Sequence, residues 1–194
     1  MAKRKAVKKV QEDTSVYECK LCRDKKVVER NGTMQKCLCV IQKEVKEYLS
    51  VFPDNTPVDK KMIISKIDRN MLFEGIDVKI FQKRAKSFMF KQFFKDEHPN
   101  YMFMSVNEYT SYYVVGDADD IIYVPYLFLT MGRDNYNVSQ LTTITTLLTT
   151  RLEIGRKTWV YIYPNVTKSK LVEYYGREFY ELAFETNSFV RTKK

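Results

Sequence analysis

The sequence predicts an α/β protein in which a small zinc ribbon precedes a parallel, helix-covered sheet. Three observations lead to this fold class. Four cysteines lie close together near the start of the chain, apolar segments of helix and strand type alternate after them, and charge and aromatic residues are concentrated at opposite ends. With 194 residues, the chain is long enough for one domain with a small appendage.

Positive charge is concentrated at the start of the chain. Residues 1–43 hold 12 Lys and Arg against 5 Asp and Glu, which is +7 of the total net charge of +9. Aromatic residues show the opposite distribution, because Tyr17 is the only one that precedes Tyr48. We therefore expect a basic front with little core and a nearly neutral body that contains the main core.

Membrane insertion and secretion are not expected. No segment approaches the roughly 18 consecutive apolar residues of a membrane span. The first residues, Met1–Lys5, lead into no apolar stretch of the signal-peptide type. The sequence predicts a soluble, cytoplasmic protein without a membrane partner.

The four cysteines have the spacing of a metal site. Cys19 and Cys22 form a C-x2-C clip, Cys37 and Cys39 form a C-x-C clip, and fourteen residues lie between the two clips. Two such clips present two pairs of sulfurs, which the intervening loop brings together around a tetrahedral zinc ion. Four thiolates fill the coordination shell, so the predicted zinc is structural. Reduced cysteines without metal, or two disulfides, are the alternatives, and disulfides are disfavoured in a cytosolic chain.

Between the two clips the sequence predicts a hairpin. Asn31-Gly32 is typical of a tight turn, with Lys26–Arg30 and Thr33–Lys36 as short strands on either side. The predicted organisation is a basic arm at 1–16, a zinc ribbon at 17–40, a helix and linker at 41–57, and an α/β domain at 58–194.

Basic side chains of the arm and the ribbon are predicted to contact nucleic acid. Such cations bind phosphates with little regard to base sequence, and the binding weakens as salt is added. For the arm, a solvated and disordered terminus is the alternative. The predicted contacts are Lys3, Arg4, Lys5, Lys8 and Lys9 in the arm and Lys20, Arg23, Lys25, Lys26 and Arg30 in the ribbon.

The body begins with helical patterns and a strand. Apolar residues at helical spacing predict a helix over Val40–Phe52, which Pro53–Pro57 ends. A long amphipathic helix is predicted over Asp77–Lys95. Tyr101–Val106 is predicted to be a strand, followed by a short helix over Asn107–Tyr112 with its first residue as the cap.

The second half of the body continues the alternation. Asp120–Thr130 is almost continuously apolar and is predicted to be a strand buried on both faces, with Pro125 marking a break or an edge position. Asn137–Ile154 contains many threonines, but its leucines and isoleucines recur at helical spacing and Gly155 follows as a cap. Lys157–Tyr163 is a further buried strand. Alternating strands and helices imply a parallel sheet.

The body offers little for catalysis. Its one histidine, His98, lies in a polar turn and is expected at the surface. The six glycines are widely separated, and no G-x-x-x-x-G-K-[ST], G-x-S-x-G or H-E-x-x-H motif occurs. Asp117, Asp119 and Asp120 could hold a cation, but an acidic turn is the commoner explanation. We expect no enzymatic activity, and an ATPase that uses a loop near Gly75–Lys79 is the alternative.

The order of these features resembles the DnaC/DnaI-type loaders of the bacterial replicative helicase, many of them carried by phages. In that family a cysteine module precedes an AAA+ ATPase domain. Tyr101–Tyr109 is similar to the strand after its first helix, and Asp119–Val124 takes the place of its Walker B strand. Ile144–Asn165 resembles its helix ending in arginine and the following strand that ends in the sensor asparagine. Asn187–Arg191 is similar to its closing Ser-x-Arg segment.

The resemblance implies that Asn165 and Arg191 are remnants of nucleotide sensors. Other residues of the family's ATP site are missing. The P-loop is absent, Tyr123–Tyr126 stands where the family has acidic residues, and Phe179–Glu181 stands where it has an arginine. The resemblance therefore implies a degenerate phage or mobile-element member, a pseudo-ATPase that does not use ATP as a cofactor.

The function predicted from the sequence is that of a non-enzymatic accessory protein of DNA replication in the cytoplasm of a bacterial host cell. Its basic zinc module would bind a replicative helicase, another replication protein or single-stranded DNA. The alternative is a zinc-ribbon transcription regulator or RNA-polymerase-binding factor. Nothing in the sequence determines the oligomeric state.

Overall fold

The structure is a computed structural model that describes residues 17–96, 98–132, 136–163 and 167–192. Contacts divide the chain into two units, Met1–Glu47 and Tyr48–Lys194. The predicted basic arm at 1–16 lies outside the described residues.

A hairpin and a helix make up the described part of the first unit. The strands β1 (Val27–Arg30) and β2 (Thr33–Lys36) pair in antiparallel fashion, and helix α1 (Leu38–Tyr48) follows them. Asn31 and Gly32 join the strands with φ angles of +50° and +74°. A two-residue hairpin turn requires positive φ at both positions, which Asn and Gly adopt most readily. The hairpin predicted from Asn-Gly is therefore confirmed.

The second unit contains a parallel sheet of five strands covered by helices, which confirms the predicted fold class. In the sheet, whose strands are all described, every neighbouring pair is parallel. The elements of this unit are α2 (Lys60–Ile64), β3 (Met71–Glu74), α3 (Val78–Lys95), β4 (Tyr101–Ser105), α4 (Val106–Val115), α5 (Asp119–Tyr123), β5 (Tyr126–Met131), α6 (Val138–Glu153), β6 (Lys157–Ile162), α7 (Lys168–Tyr175), α8 (Arg177–Tyr180), a π-helical turn (Glu181–Glu185) and β7 (Val190–Thr192). The strand order is β4-β5-β6-β3-β7.

The two faces of the sheet differ in composition. On one face, aliphatic residues such as Leu72 and Leu129 pack with α4, α5, α6, α7 and α8 in one buried cluster. On the other face, aromatic residues such as Phe73 and Trp159 pack against α3, and the ring centroids of Trp159 and Phe88 lie 4.7 Å apart. Successive residues of a strand point to opposite faces, so the alternation of aliphatic and aromatic residues along the strands produces this division.

Helix α3 covers the aromatic face and confirms the long amphipathic helix predicted over Asp77–Lys95. Asp77 is the N-cap, and the helix ends at Lys95.

None of the helices in the described ranges is both long enough and apolar enough to cross a membrane. Helix α3 is the longest element described above, and one of its sides is buried. The buried side of α3 consists of Phe81, Ala85, Ser87, Phe88, Met89, Gln92 and Phe93.

The strand predicted over Asp120–Thr130 is wrong in its first part. Residues 119–123 form helix α5, and strand β5 begins only at Tyr126. Pro125 disfavours helical backbone at the residue before it, and Val124 accordingly has φ −56° and ψ 133°. The proline thus divides one apolar run into a helix and a strand.

Helix α4 starts earlier than predicted. Ser105, rather than Asn107, is the N-cap, since its Oγ accepts a hydrogen bond from the backbone N–H of Glu108 at 3.2 Å. The carboxylate of Glu108 in turn accepts from the backbone N–H of Ser105 at 2.5 Å. This reciprocal S-x-x-E capping box was visible in the sequence. The helix runs to Val115, and Gly116 ends it with φ +83°.

The threonine-rich segment forms helix α6, as its apolar period predicts. Asn137 caps the helix, and its side chain accepts a hydrogen bond from the backbone N–H of Gln140 at 2.9 Å. Within the helix, Oγ1 of Thr145 donates to the carbonyl oxygen of Leu141 at 2.9 Å. Threonine hydroxyls that bond back to the preceding turn are compatible with a helix.

Candidate functional site

The four cysteines predicted as metal ligands meet in the first unit. Their Sγ atoms all lie within 4.8 Å of one another. Two of the separations, Cys19 to Cys37 and Cys22 to Cys39, are 3.7 Å. A tetrahedral zinc ion with Zn–S bonds of about 2.3 Å places its sulfurs about 3.8 Å apart. A disulfide needs about 2.0 Å, so these distances fit a metal site and not a disulfide. The four cysteines could therefore hold a zinc ion.

A turn with unusual backbone angles follows the first clip. Arg23, Asp24 and Lys26 have φ angles of +48°, +62° and +64°. Such angles are uncommon for residues other than glycine, and Asp tolerates them better than most. The Asp24 carboxylate accepts hydrogen bonds from the backbone N–H groups of Cys19 at 3.0 Å and Glu18 at 3.3 Å. These bonds hold the chain in the reversal that brings Cys19 towards the other cysteines.

The environments of the thiols differ. Hydrogen bonds from the backbone N–H groups of Cys22 and Leu21 lower the pKa of Cys19 to about 7. Burial raises the pKa of Cys39 to about 12, and it raises the pKa of Cys22 as well. Metal binding needs thiolates, so it must release protons from Cys22 and Cys39 at neutral pH. The affinity for metal is therefore expected to fall as the pH falls.

Apolar burial is scarce in the first unit. Among residues 17–47, only Cys22, Cys37 and Val45 are buried. Leu21 and Met34 are 57% and 66% exposed. With so little apolar core, this unit would gain much of its folding free energy from a bound metal ion.

The predicted nucleic-acid contacts fall into two groups. Those in the arm, Lys3, Arg4, Lys5, Lys8 and Lys9, lie outside the described residues. The five in the ribbon are all exposed, and in the described part of the chain none of them forms an ion pair. These five are Lys20, Arg23, Lys25, Lys26 and Arg30. The first unit thus presents cations that a polyanion can approach.

The connection between β3 and α3 lies at the carboxyl end of a strand, which is where parallel α/β proteins bind nucleotides. Here β3 ends at Glu74 and α3 begins at Val78, so three residues join them. Ile76 in this turn is buried, and Oδ1 of Asp77 accepts a hydrogen bond from the backbone N–H of Lys79 at 2.6 Å. A Walker A loop needs eight residues whose backbone N–H groups surround the phosphates. The turn is too short for such a loop.

The segment that the resemblance aligned with the Walker B strand is not a strand. Residues 119–123 are helical, and the strand that follows is β5. No residue of Tyr126–Met131 carries a carboxylate. Asp134, which comes after β5 in the sequence, lies outside the described residues.

Arg151 is buried between helices and a strand, which its sequence pattern did not lead us to expect. Its side chain is fully buried at the end of α6, and burial lowers its pKa to about 10. The sequence did contain a sign of this burial. Arg151 follows Leu147 by four residues and Leu148 by three, which places it on the apolar face of the helix. The guanidinium donates five hydrogen bonds of 2.7–2.9 Å, to the carbonyl oxygens of Ile121, Ile122, Val124 and Lys157 and to Oγ1 of Thr158. Arg151 thereby joins α5, α6 and β6.

Of the two sensor-like residues, Asn165 lies outside the described residues. Arg191 lies on the edge strand β7, where a guanidinium nitrogen is 2.9 Å from Oε2 of Glu74 at the end of β3. Its guanidinium carbon also lies 4.7 Å from the centroid of the Phe184 ring. The ion pair ties β7 to β3, and a sensor origin for both residues stays a prediction.

The remaining candidates in the body form no metal-binding group within the described residues. His98 is exposed, as predicted, and its ring stacks on Phe93 with centroids 3.7 Å apart. Asp117, Asp119 and Asp120 line the same groove but do not form a group close enough to hold a metal ion. Among the described residues, only the four cysteines form a group that could hold a metal ion.

The fold of this chain is similar to that of a solved structure. The crystal structure of the DnaC helicase loader matches with a TM-score of 0.50 at 12% sequence identity, over 84% of this chain and 95% of that chain. At this identity the likeness concerns the fold, and the chain has a DnaC-like fold. No family model matches the sequence, and no curated protein matches it.

Proposed function

We propose that this protein is a non-enzymatic accessory protein of DNA replication, which binds a replicative helicase through its basic cysteine module. The observation that carries the proposal is the likeness to the DnaC helicase loader, which extends over 95% of that chain. In this proposal the four cysteines hold a structural zinc ion that keeps the module folded.

The surface of the module has the chemistry of a protein-binding site. Leu21, Met34 and Leu38 are 57%, 66% and 47% exposed. A contiguous apolar patch with a polar rim is typical of a protein interface, and in this proposal these three side chains form its centre. The cations Lys20 and Arg23, next to Leu21 and Cys22 in the chain, provide such a rim.

The same cations are available to single-stranded DNA. Exposed lysines and arginines on a small module bind phosphates through a largely sequence-independent attraction. DNA binding would accompany helicase binding, because a loader has to bring its helicase to a strand. We infer that the protein acts in the cytoplasm of a bacterial cell and belongs to a phage or mobile element.

The absence of ATPase activity is part of the proposal. The three-residue turn between β3 and α3 supports it, because phosphates have no Gly-rich loop to enter. The Asp77 carboxylate that caps α3 supports it as well, because it lies at the helix N-terminus that a phosphate would occupy. The body would then be a pseudo-ATPase that serves as a scaffold.

The experiment is a binding assay between the full-length, zinc-loaded protein and two purified candidates from the organism that encodes it, the replicative helicase and the RNA polymerase. We expect a complex with the helicase in size-exclusion chromatography and biolayer interferometry. Binding to RNA polymerase alone would overturn the proposal in favour of a transcription factor.

A variant tests the module itself. Leu21→Ser combined with Met34→Ser should weaken helicase binding roughly tenfold or more, because it removes apolar side chains from the centre of the interface. The matched control is Ile64→Ser, since Ile64 is 83% exposed in the second unit and lies outside the module. Equal binding by both variants would place the helicase contact elsewhere.

A further inference from the structure

We propose that the outer edge of β4 and the acidic groove beside it bind an extended basic segment of another protein by strand addition. The strand order leaves β4 at one end of the sheet, with β5 as its neighbour. The pairing runs without interruption from Tyr101 opposite Tyr126 to Ser105 opposite Thr130. An edge strand presents a row of backbone N–H and C=O groups that another strand can pair with.

Strand β4 lacks the features that usually protect an edge. Tyr101–Ser105 contains no charged residue and no proline, and its register with β5 contains no bulge. The opposite edge is different, because β7 has only three residues, including Arg191, which forms the ion pair with Glu74. The β4 edge is therefore the longer of the two and the one without a charged residue.

A groove of about 690 Å³ lies along β4. Residues of β4, including Met102, form part of its lining together with Tyr112 of α4. Four carboxylates also line it, those of Glu108, Asp117, Asp119 and Asp120, and no lysine or arginine is among its described lining residues. The groove is therefore strongly negative in a chain whose net charge is +9. This charge excludes nucleic acid as the occupant.

Three of the carboxylates have no ionic partner in the described part of the chain. Glu108 is partly engaged, because it accepts hydrogen bonds from Ser105 in the capping box. Asp117, Asp119 and Asp120 are exposed, and the described ion pairs include none of them. Asp119 and Asp120 also lie in the first turn of α5, where a negative charge stabilises the helix. This effect on the helix does not prevent their carboxylates from contacting an occupant of the groove.

These features define the chemistry of the occupant. A strand added to β4 would form backbone hydrogen bonds along Tyr101–Met104, an edge about 13 Å long, because the N–H of Ser105 is already bonded to Glu108. Alternate side chains of a strand point in the same direction. One set, of lysine or arginine, would point to the face with α4 and α5 and meet the carboxylates, and the other set, of apolar residues, would point to the aromatic face beside Tyr101 and Phe103. The occupant is thus an extended segment in which basic and apolar residues alternate.

The test uses the full-length protein and three labelled seven-residue peptides in fluorescence anisotropy. The first alternates lysine and valine, the second is the same peptide with every second backbone amide methylated, and the third alternates glutamate and valine. Methylation keeps the charge but removes the N–H groups that pair with an edge. We expect the first peptide to bind roughly tenfold more tightly than the second, and the third not to bind. Equal affinity for the first two would overturn strand addition.

Variants locate the site. Asp117→Asn, Asp119→Asn and Asp120→Asn together should weaken binding of the lysine-valine peptide roughly tenfold. A matched control makes the same change of charge on exposed residues of the same unit and should keep the affinity. It combines Glu153→Gln, Glu173→Gln and Glu178→Gln. Equal weakening in both would show a general charge effect and overturn the proposal.

A measurement on the unaltered protein does not depend on how well the variants fold. Binding of the lysine-valine peptide should slow hydrogen exchange of backbone amides in Tyr101–Met104 and leave that of Val190–Thr192 unchanged. Exchange in β4 that does not slow at saturating peptide would overturn the proposal.

Discussion

The carboxylate of Asp77 accepts a hydrogen bond from the backbone N–H of Lys79 at 2.6 Å. This bond satisfies one of the N–H groups that are unpaired at the start of every helix. In nucleotide-binding α/β proteins a phosphate takes that place. In this protein the helix supplies its own anion, and Gly75 and Ile76 leave no loop around it.

We expect that Mg-ATP does not bind. Isothermal titration at millimolar ATP should give no heat of binding, because both the loop and the open helix N-terminus are missing. Asp77→Asn is an informative second variant, since asparagine keeps the cap but removes the negative charge. It should not bind ATP either, because the short turn is unchanged. Binding to either protein would contradict the pseudo-ATPase assignment.

Elemental analysis should find one zinc ion per chain. Removal of this ion with a strong chelator should unfold the first unit, which buries few residues, and leave the second folded. Trp159 is the single tryptophan and is 1% exposed, so its emission reports on the second unit. We expect chelation to change the circular dichroism but not this emission.

Two variants serve as controls for the zinc site. Cys37→Ser should lose the metal, whereas Met34→Ser on the same hairpin should keep it. Lower pH should weaken binding, because the raised pKa values of Cys22 and Cys39 mean that zinc competes with protons. A protein purified with no zinc, or an affinity independent of pH, would contradict the site.

Arg151→Met should lower the free energy of unfolding by about 3 kcal/mol, because five oxygen acceptors lose a buried donor. Arg151→Lys should cost less, since an ammonium group replaces at most three of these bonds. Urea unfolding followed by Trp159 emission measures both. The control is Arg177→Met, whose side chain is 83% exposed and whose ion pair with Glu181 is worth less than about 1 kcal/mol. Equal loss in Arg151→Met and Arg177→Met would refute the role of Arg151.

The second unit should unfold in alkaline solution. Burial raises the pKa of both Tyr109 and Tyr175 to about 12, from an ordinary value of 10.0. Below pH 10 these tyrosines are neutral in both states, and their contribution to stability is complete. Between about pH 10 and pH 12 they ionise in the unfolded chain first, so stability falls by at most about 1.4 kcal/mol per pH unit for each tyrosine.

Tyr109→Phe removes one of these ionising groups and should move the midpoint of alkaline unfolding to higher pH. Tyr113→Phe is the matched control, because Tyr113 is 54% exposed in the same helix and should leave the midpoint unchanged. A titration of Trp159 emission measures both. An unchanged midpoint in Tyr109→Phe would contradict the prediction.

Binding of single-stranded DNA should weaken steeply as salt is added. The logarithm of the affinity falls linearly with the logarithm of the salt concentration. Each phosphate contact that is lost makes this slope less steep by about 0.7 for single strands. Lys20→Gln with Lys25→Gln should therefore reduce the slope, as should deletion of residues 1–9. Lys60→Gln with Lys61→Gln on α2 is the control and should leave it unchanged. Salt-independent binding, or none, would remove the DNA contact from the proposal.

Elements with strong local signals could be predicted from the sequence. The Asn31-Gly32 turn has few alternatives, and in α3 and α6 a long apolar period outweighs individual residue preferences. The cysteine spacing likewise predicted four sulfurs that the fold brings together. In each case the determining residues lie within one short segment of the chain.

The predictions that failed depended on contacts distant in the chain or on a single backbone constraint. Pro125 divides an apolar run that hydropathy treats as continuous. The partners of Arg151 include Ile121 and Val124, which become its neighbours only when α5 packs against α6. The groove beside β4 likewise depends on strand order, which a sequence pattern does not determine.

The position of β3 has a consequence for synthesis of the chain. Met71 lies opposite Trp159 on one side and Val190 on the other, so β3 is flanked by the two strands of this sheet that are synthesised after the other three. Until they emerge, an apolar strand has neither neighbour, and pairing over such separations is slow. The sheet can therefore be completed only after β7 has been synthesised, more than one hundred residues after β3.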